Sequence, residues 1–124
     1  MMKRKGKKTK KILIIDDEEN VRLLYQEELQ DEGYEVIVAS NGQEGLEKFN
    51  HHKPDLITLD IHMVGINGLE TLRLIRERSR NIPVILCTAY GEYKQDFRSW
   101  GSDAYIVKSS DLNELLTKVK EILR

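Results

Sequence analysis

ILIIDDEEN, residues 12–20, decides how this chain is read: four aliphatic residues run directly into the carboxylates Asp16, Asp17, Glu18 and Glu19. Continuous rather than alternating apolar character fits a strand buried on both faces, the kind found in parallel sheets covered by helices. In such sheets the ligand sits outside the carboxyl ends of the strands. The acids therefore stand where a binding site is expected.

Working outward, apolar runs at residues 36–39, 56–59, 84–87 and 104–107 are strand-length, and helix-period segments lie between them. The last segment places Leu112, Leu115, Leu116, Val119, Ile122 and Leu123 on one stripe, opened by Asp111 with Glu114 as a capping pair. The first helix is expected to bury Val21, Leu24, Tyr25 and Leu29 and to stop at Gly33 in a left-handed cap. A second enters through Asn41 and Gly42, with Glu44 placed to cap and Leu46 and Phe49 as its buried face. The third, near 68–80, uses Leu69, Leu72 and Ile75, and a short fourth between Gly91 and Gly101 rests on Tyr93, Phe97 and Trp100. Pro54 and Pro83 precede the third and fourth runs, where a missing N–H costs no ladder bond. The order is (βα)₅, and right-handed crossovers then require a doubly wound α/β parallel sheet with helices on both faces.

At 124 residues, with 40% hydrophobic and 33% charged residues, the chain has room for one domain with one core. Cys87 is the single cysteine and lies inside an apolar run, so it reads as a small buried hydrophobe in a reducing compartment. The longest apolar runs are four residues, far short of a membrane span, and the basic N-terminus lacks a signal-peptide core. A cytoplasmic protein with no membrane contact is expected. Seven of the 20 Lys and Arg lie at or before Lys11 and all 21 acids after it, which leaves the body at 13 basic against 21 acidic residues, a net −8. Residues 1–10 read as a basic, disordered tail and 11–124 as the domain; without interleaved aromatics the tail does not make nucleic acid the expected partner.

The residues that end the runs are Asp16 and Asp17, Asp60, Thr88 and Lys108, with only Ser40 after the second run bland. Three clustered carboxylates repel one another and call for a cation. A few carboxylates with water to spare suit Mg²⁺ better than Ca²⁺, and no His/Cys cluster invites zinc. Thr88 and Lys108 add a hydroxyl and an ammonium, suited to a phosphoryl group, and a carboxylate beside Mg²⁺ can itself be phosphorylated. Turn and cap residues could account for any one of these positions, but poorly for four strand ends at once. His51 and His52 read as surface residues at a helix end.

Asp16-Asp17, Asp60 followed by Met63 and Gly68, Thr88-Ala89, and Gly101 with Tyr105-Ile106-Val107-Lys108 resemble the signature of the response-regulator receiver domain of two-component signalling. The match runs from Lys10 to Arg124 and is most similar to stand-alone receivers of the sporulation phosphorelay intermediate type. It implies a flavodoxin-like sheet in the order 2-1-3-4-5. It further implies that Asp60 accepts a phosphoryl group from a phosphohistidine of a histidine kinase or histidine phosphotransferase. Asp17, Asp60 and the His62 carbonyl would hold Mg²⁺, with Asp16 acting mainly through water. Thr88 and Lys108 would bind phosphoryl oxygens, Ala89 would stay small to admit them, and His62 and Tyr90 would tune the phosphoryl lifetime. In such a domain Tyr105 turns inward as Thr88 is drawn to the phosphate, altering a face offered to a downstream protein, as a monomer or a phosphorylation-dependent dimer. The domain would catalyse its own phosphorylation and dephosphorylation without being a conventional turnover enzyme.

Three positions depart from that pattern. Ser109 stands where proline usually follows the lysine, often with a cis bond; a cis non-prolyl bond costs about 2.5–4 kcal/mol, so a trans or altered loop is expected. Met63-Val64 replaces Met-Pro, and Gly101-Ser102 replaces Gly-Ala. A rival reading is a phosphorylation-independent interaction module on the same fold. A flavin-binding protein is opposed by the acids that stand where a phosphate loop would be, and a truncated DNA-binding regulator by the lack of a recognition helix.

Overall fold

Four fully buried residues, Ile12, Leu13, Ile14 and Ile15, make the first strand the centre of the molecule. In the computed structural model, which describes residues 9–89, 91, 96, 100–109 and 111–124, this is β1 (Lys11–Ile15). It is followed by α1 (Glu19–Asp31), β2 (Glu35–Ala39), α2 (Gly42–His52), β3 (Leu56–Leu59), α3 (Gly68–Arg78), β4 (Val84–Thr88), β5 (Ala104–Val107) and α4 (Asn113–Leu123). The strands form one sheet in the order β2-β1-β3-β4-β5, every pair parallel. All five expected strands and the expected order are present. The expected helix over Tyr93 and Phe97, together with Tyr90 and tail residues 1–8, lies outside the described residues.

Alternate side chains of each strand serve two cores. Ile12, Ile14, Leu56, Ile85, Cys87 and Ile106 pack with Tyr25 and Leu29 of α1 and Leu115 and Val119 of α4. Leu13, Ile15, Ile57, Leu59, Leu86 and Tyr105 pack on the other face with Leu72 and Ile75 of α3, backed by Leu46, Phe49 and Trp100. Each fully buried Ile or Leu is worth roughly 1.5–3 kcal/mol, which is why runs without polar alternation specify the centre of the sheet. Only β2, at an edge, is half-buried along most of its length.

Helix boundaries follow their local chemistry, with two corrections. At α2, Asn41 Oδ1 accepts the Glu44 N–H at 2.8 Å, while Glu44 Oε1 reaches back to the Ser40 N–H and hydroxyl at 2.6 and 2.8 Å. These bonds hold the Glu44 carboxyl down at about 2. At the end of α1, Gly33 takes the left-handed conformation (φ 98°), and the Tyr34 N–H returns to the Leu29 carbonyl. The first correction is Leu24, which is 39% exposed rather than buried. Val21, Tyr25 and Leu29 recur every fourth residue and share a line, whereas Leu24 sits about 100° away around the helix. The second concerns α4. Asp111 and Glu114 do not form a capping pair; Asp111 Oδ1 accepts the Asn113 N–H two residues on, at 2.9 Å, and the helix starts one residue late.

The start of β5 is pinned by Arg76 of α3. Its guanidinium donates to the carbonyls of Gly101 and Ile82, both at 2.7 Å, and to Asp103 Oδ2 at 3.1 Å, which also accepts the Val84 N–H. The far end is tied by the Lys108 N–H to the Thr88 carbonyl at 2.7 Å. Among the described residues no peptide bond is cis, so the Lys108–Ser109 bond is trans, as expected without proline.

Candidate functional site

Each strand that ends at the carboxyl edge on the β1, β3, β4 and β5 side delivers a polar residue to the same place. Asp16 and Asp17 leave β1, Asp60 leaves β3, Thr88 closes β4 and Lys108 follows β5. Because parallel strands all point the same way, one sheet edge collects residues separated by most of the chain. Asp17, Glu18, Asp60, His62, Thr88, Ala89 and Lys108 line a cleft of about 210 Å³ there. Carboxylate oxygens of Asp16, Asp17 and Asp60 lie within 4.8 Å of one another.

Lys108 organises these acids. Its ammonium lies 2.8 Å from Asp16 Oδ2, 3.0 Å from Glu18 Oε1 and 3.5 Å from Asp60 Oδ2. Burial alone would pull its pKa down, but the bonds to Asp16 and Glu18 and the charge of Asp60 hold it above the ordinary lysine value. Asp16 is pushed up by burial, opposed by Lys108 and by the Glu18 N–H that donates to its Oδ1 at 2.9 Å. Asp60 rises further, to about 6, because burial is reinforced by the charge of Asp16 and only partly offset by Lys108 and the His62 N–H. One ammonium is too little for this pocket, and an all-oxygen donor set with surplus negative charge fits a hard divalent cation.

Asp60 is therefore a stability liability. A carboxyl raised from 3.8 unfolded to about 6 folded destabilises the native state above pH 6, and that penalty vanishes below about pH 4. At 1.36 kcal/mol per pKa unit, Asp60→Asn is expected to stabilise the metal-free protein by about 3 kcal/mol at pH 7.5. Urea unfolding in EDTA at pH 7.5 and pH 4 checks this; an equal midpoint for parent and variant at pH 7.5 would contradict it.

Every strand-end residue expected at the site is in it. His62 is exposed on the cleft wall, with its N–H 3.4 Å from Asp60 Oδ1. Tyr105 is 5% exposed and packed in the core. Cys87 is a buried free thiol that shares a hydrogen bond with Tyr25, and burial raises its pKa to about 12, which keeps it inert.

Two contacts of the site are not legible in the sequence. Glu18 reads as one more acid in a run, and its partner Lys108 is 90 residues away. Gly68 opens α3 directly on the turn that carries Asp60: its N–H donates to the Ile61 carbonyl at 2.8 Å. A Cβ at Gly68 would run into the Asp60 carbonyl oxygen and lie 2.7 Å from the Ile61 Cα.

A five-stranded flavodoxin-like sheet with an acidic cleft at the carboxyl ends of its strands defines the class of domain. Comparison with known proteins then narrows it: the chain belongs to the response regulator receiver domain family, whose model matches residues 12–120. It is similar to the alkaline phosphatase synthesis transcriptional regulatory protein PhoP of Bacillus subtilis, 39% identical over 117 residues, 93% of this chain and 49% of that protein. It is also similar to response regulator ArlR of Staphylococcus aureus, 42% identical over 115 residues, 91% of this chain and 52% of that one. The chain thus spans about half the length of the curated relatives it matches. Among solved structures it resembles response regulator protein TrrA from Thermotoga maritima in complex with Mg²⁺-BeF, with a TM-score of 0.87 and 49% identity over 92% of this chain and 99% of that one. TrrA in complex with histidine kinase ThkA matches with a TM-score of 0.86 and 49% identity, covering 94% and 100%. None of the described helices is long and apolar enough to cross a membrane.

Proposed function

We propose that this domain accepts a phosphoryl group on Asp60 from the phosphohistidine of a histidine kinase or histidine phosphotransferase, and acts as a signalling switch or phosphorelay intermediate. The observation that carries this reading is the convergence of Asp16, Asp17, Asp60, Thr88 and Lys108 on one cleft. A carboxylate oxygen of Asp60 would attack phosphorus, forming a P–O bond as the P–N bond to the donor imidazole breaks and the imidazole leaves. Thr88 and Lys108 would receive the phosphoryl oxygens.

Asp17, Asp60 and the His62 carbonyl would hold Mg²⁺, with Asp16 reaching it through water. When bound, the ion would supply neutralisation of the charge that gathers on the transferring group. The excess of carboxylate over ammonium in the pocket favours that assignment, as does the Mg²⁺-BeF named with TrrA. The kinase ThkA named with TrrA favours a histidine kinase as donor. Displacement of Thr88 toward the phosphoryl group, with Tyr105 packed behind it, would bias two arrangements of the surface that a downstream protein reads, whether by a monomer or a dimer. His62 and Tyr90 would regulate water access to the phosphoryl group.

Intact mass after incubation with acetyl phosphate and Mg²⁺ tests the reading. The parent is expected to gain one phosphoryl group, and Asp60→Asn or omission of Mg²⁺ to prevent it. A folded parent that gains no mass would favour the phosphorylation-independent interaction module instead.

A further inference from the structure

Lys108 is shared three ways, and one partner is unlike the others. An ammonium has three N–H groups, and Asp16, Glu18 and Asp60 all stand within 3.5 Å of it. The Asp16 and Asp60 side chains are 3% and 5% exposed, so neither can turn to water, whereas that of Glu18 is 61% exposed and can be hydrated at little cost. The Glu18 backbone is nonetheless fixed. Its N–H donates to Asp16 Oδ1 at 2.9 Å, and its carbonyl accepts the Arg22 N–H at 3.1 Å as α1 begins. Those bonds keep its side chain at the cleft wall, within reach of the lysine.

Resting on the phospho-acceptor reading above, we propose that Glu18 is a positioning residue that competes with a phosphoryl group on Asp60 for Lys108. It thereby sets how tightly the cleft holds that group. Glu18 makes and breaks no covalent bond. A phosphoryl group arriving at Asp60 needs an N–H of Lys108 that Glu18 holds, and it meets the repulsion of the same carboxylate. A divalent cation in the cleft experiences the opposite: the Glu18 charge attracts it. One charge therefore pulls the two affinities in opposite directions, and no general loss of structure can do that.

Glu18→Gln keeps the shape and removes the charge. Isothermal titration calorimetry with Mg²⁺ alone, then with beryllium fluoride at saturating Mg²⁺, reads both affinities on the full chain. The variant is expected to bind fluoroberyllate about fivefold more tightly, the scale of one exposed ion pair, and Mg²⁺ about twofold more weakly, since a neighbouring exposed charge is largely screened. Unchanged or weaker fluoroberyllate binding, in a variant whose parent responds normally, overturns the role of Glu18 and leaves the phospho-acceptor reading standing. A parent that binds no fluoroberyllate overturns both.

Discussion

Lys108→Met is expected to destabilise the metal-free protein by about 3–5 kcal/mol at pH 7.5, the scale for removing one partner of a buried ion pair. Surface ion pairs are worth no more than about 1 kcal/mol, so the size of the effect depends on burial. Lys108 is 12% exposed and two of its carboxylate partners 5% or less, which puts this cluster among the buried ones. Without the ammonium, Asp16 and Asp60 have to take up protons or remain as uncompensated buried charges. The loss should therefore shrink toward pH 5, and millimolar Mg²⁺ should restore much of the stability at pH 7.5. Combining Lys108→Met with Asp60→Asn should cost less than Lys108→Met alone, because one of the stranded charges is gone. Urea midpoints for the three proteins, with and without Mg²⁺, check this; a loss below 1 kcal/mol would mean that the pair behaves as an exposed one.

Gly68→Ala is expected to destabilise by about 3 kcal/mol, the upper end of overpacking costs, and to slow phosphoryl acceptance at Asp60 at least about tenfold. Alanine improves helix propensity by at most about 1 kcal/mol, and less in the first turn, so sterics win. The new Cβ meets backbone, the Asp60 carbonyl and the Ile61 Cα, rather than the pliable end of a side chain. Relief requires either α3 to back away or the turn carrying Asp60 to move, and misplacing a reacting atom by 1 Å can cost a hundredfold in rate. A urea midpoint and an acetyl phosphate time course separate the two consequences. A fully stable variant with normal phosphorylation would show that the turn can yield freely.

Much of the fold was legible because residues 12–15, 56–59 and 84–87 carry no polar residue except Thr58, and a strand buried on both faces leaves that imprint. The site followed from a rule of topology: parallel strands present their carboxyl ends together, so the residue after each apolar run could be gathered without coordinates. Leu24 escapes the sequence pattern because composition says which residues are apolar but not how far the sheet extends beneath a helix. The start of α4 differs from the pattern because Asp111 can bond two residues on as readily as three. Glu18 beside Lys108, and Gly68 against Asp60, are contacts between elements. Local patterns carry no record of such proximity, although a glycine opening a helix just after an acid that ends a strand was a usable sign.

The three ion pairs of Lys108 also order events during synthesis. Asp16, Glu18 and Asp60 are polymerised first, and the lysine that neutralises them arrives only with the last strand, 90 residues after Glu18. A single domain folds as a unit, so these acids stay bare to water until β5 has been made. Closing a loop of this length is only modestly dearer in entropy than closing a short one. What the late lysine changes is burial: the acids can be covered only once β5 has docked and brought their counter-charge. Electrostatic completion of the cleft thus waits for the end of synthesis, and a nascent chain stopped before residue 108 would lack the counter-charge of the two carboxylates, Asp16 and Asp60, that the finished protein buries.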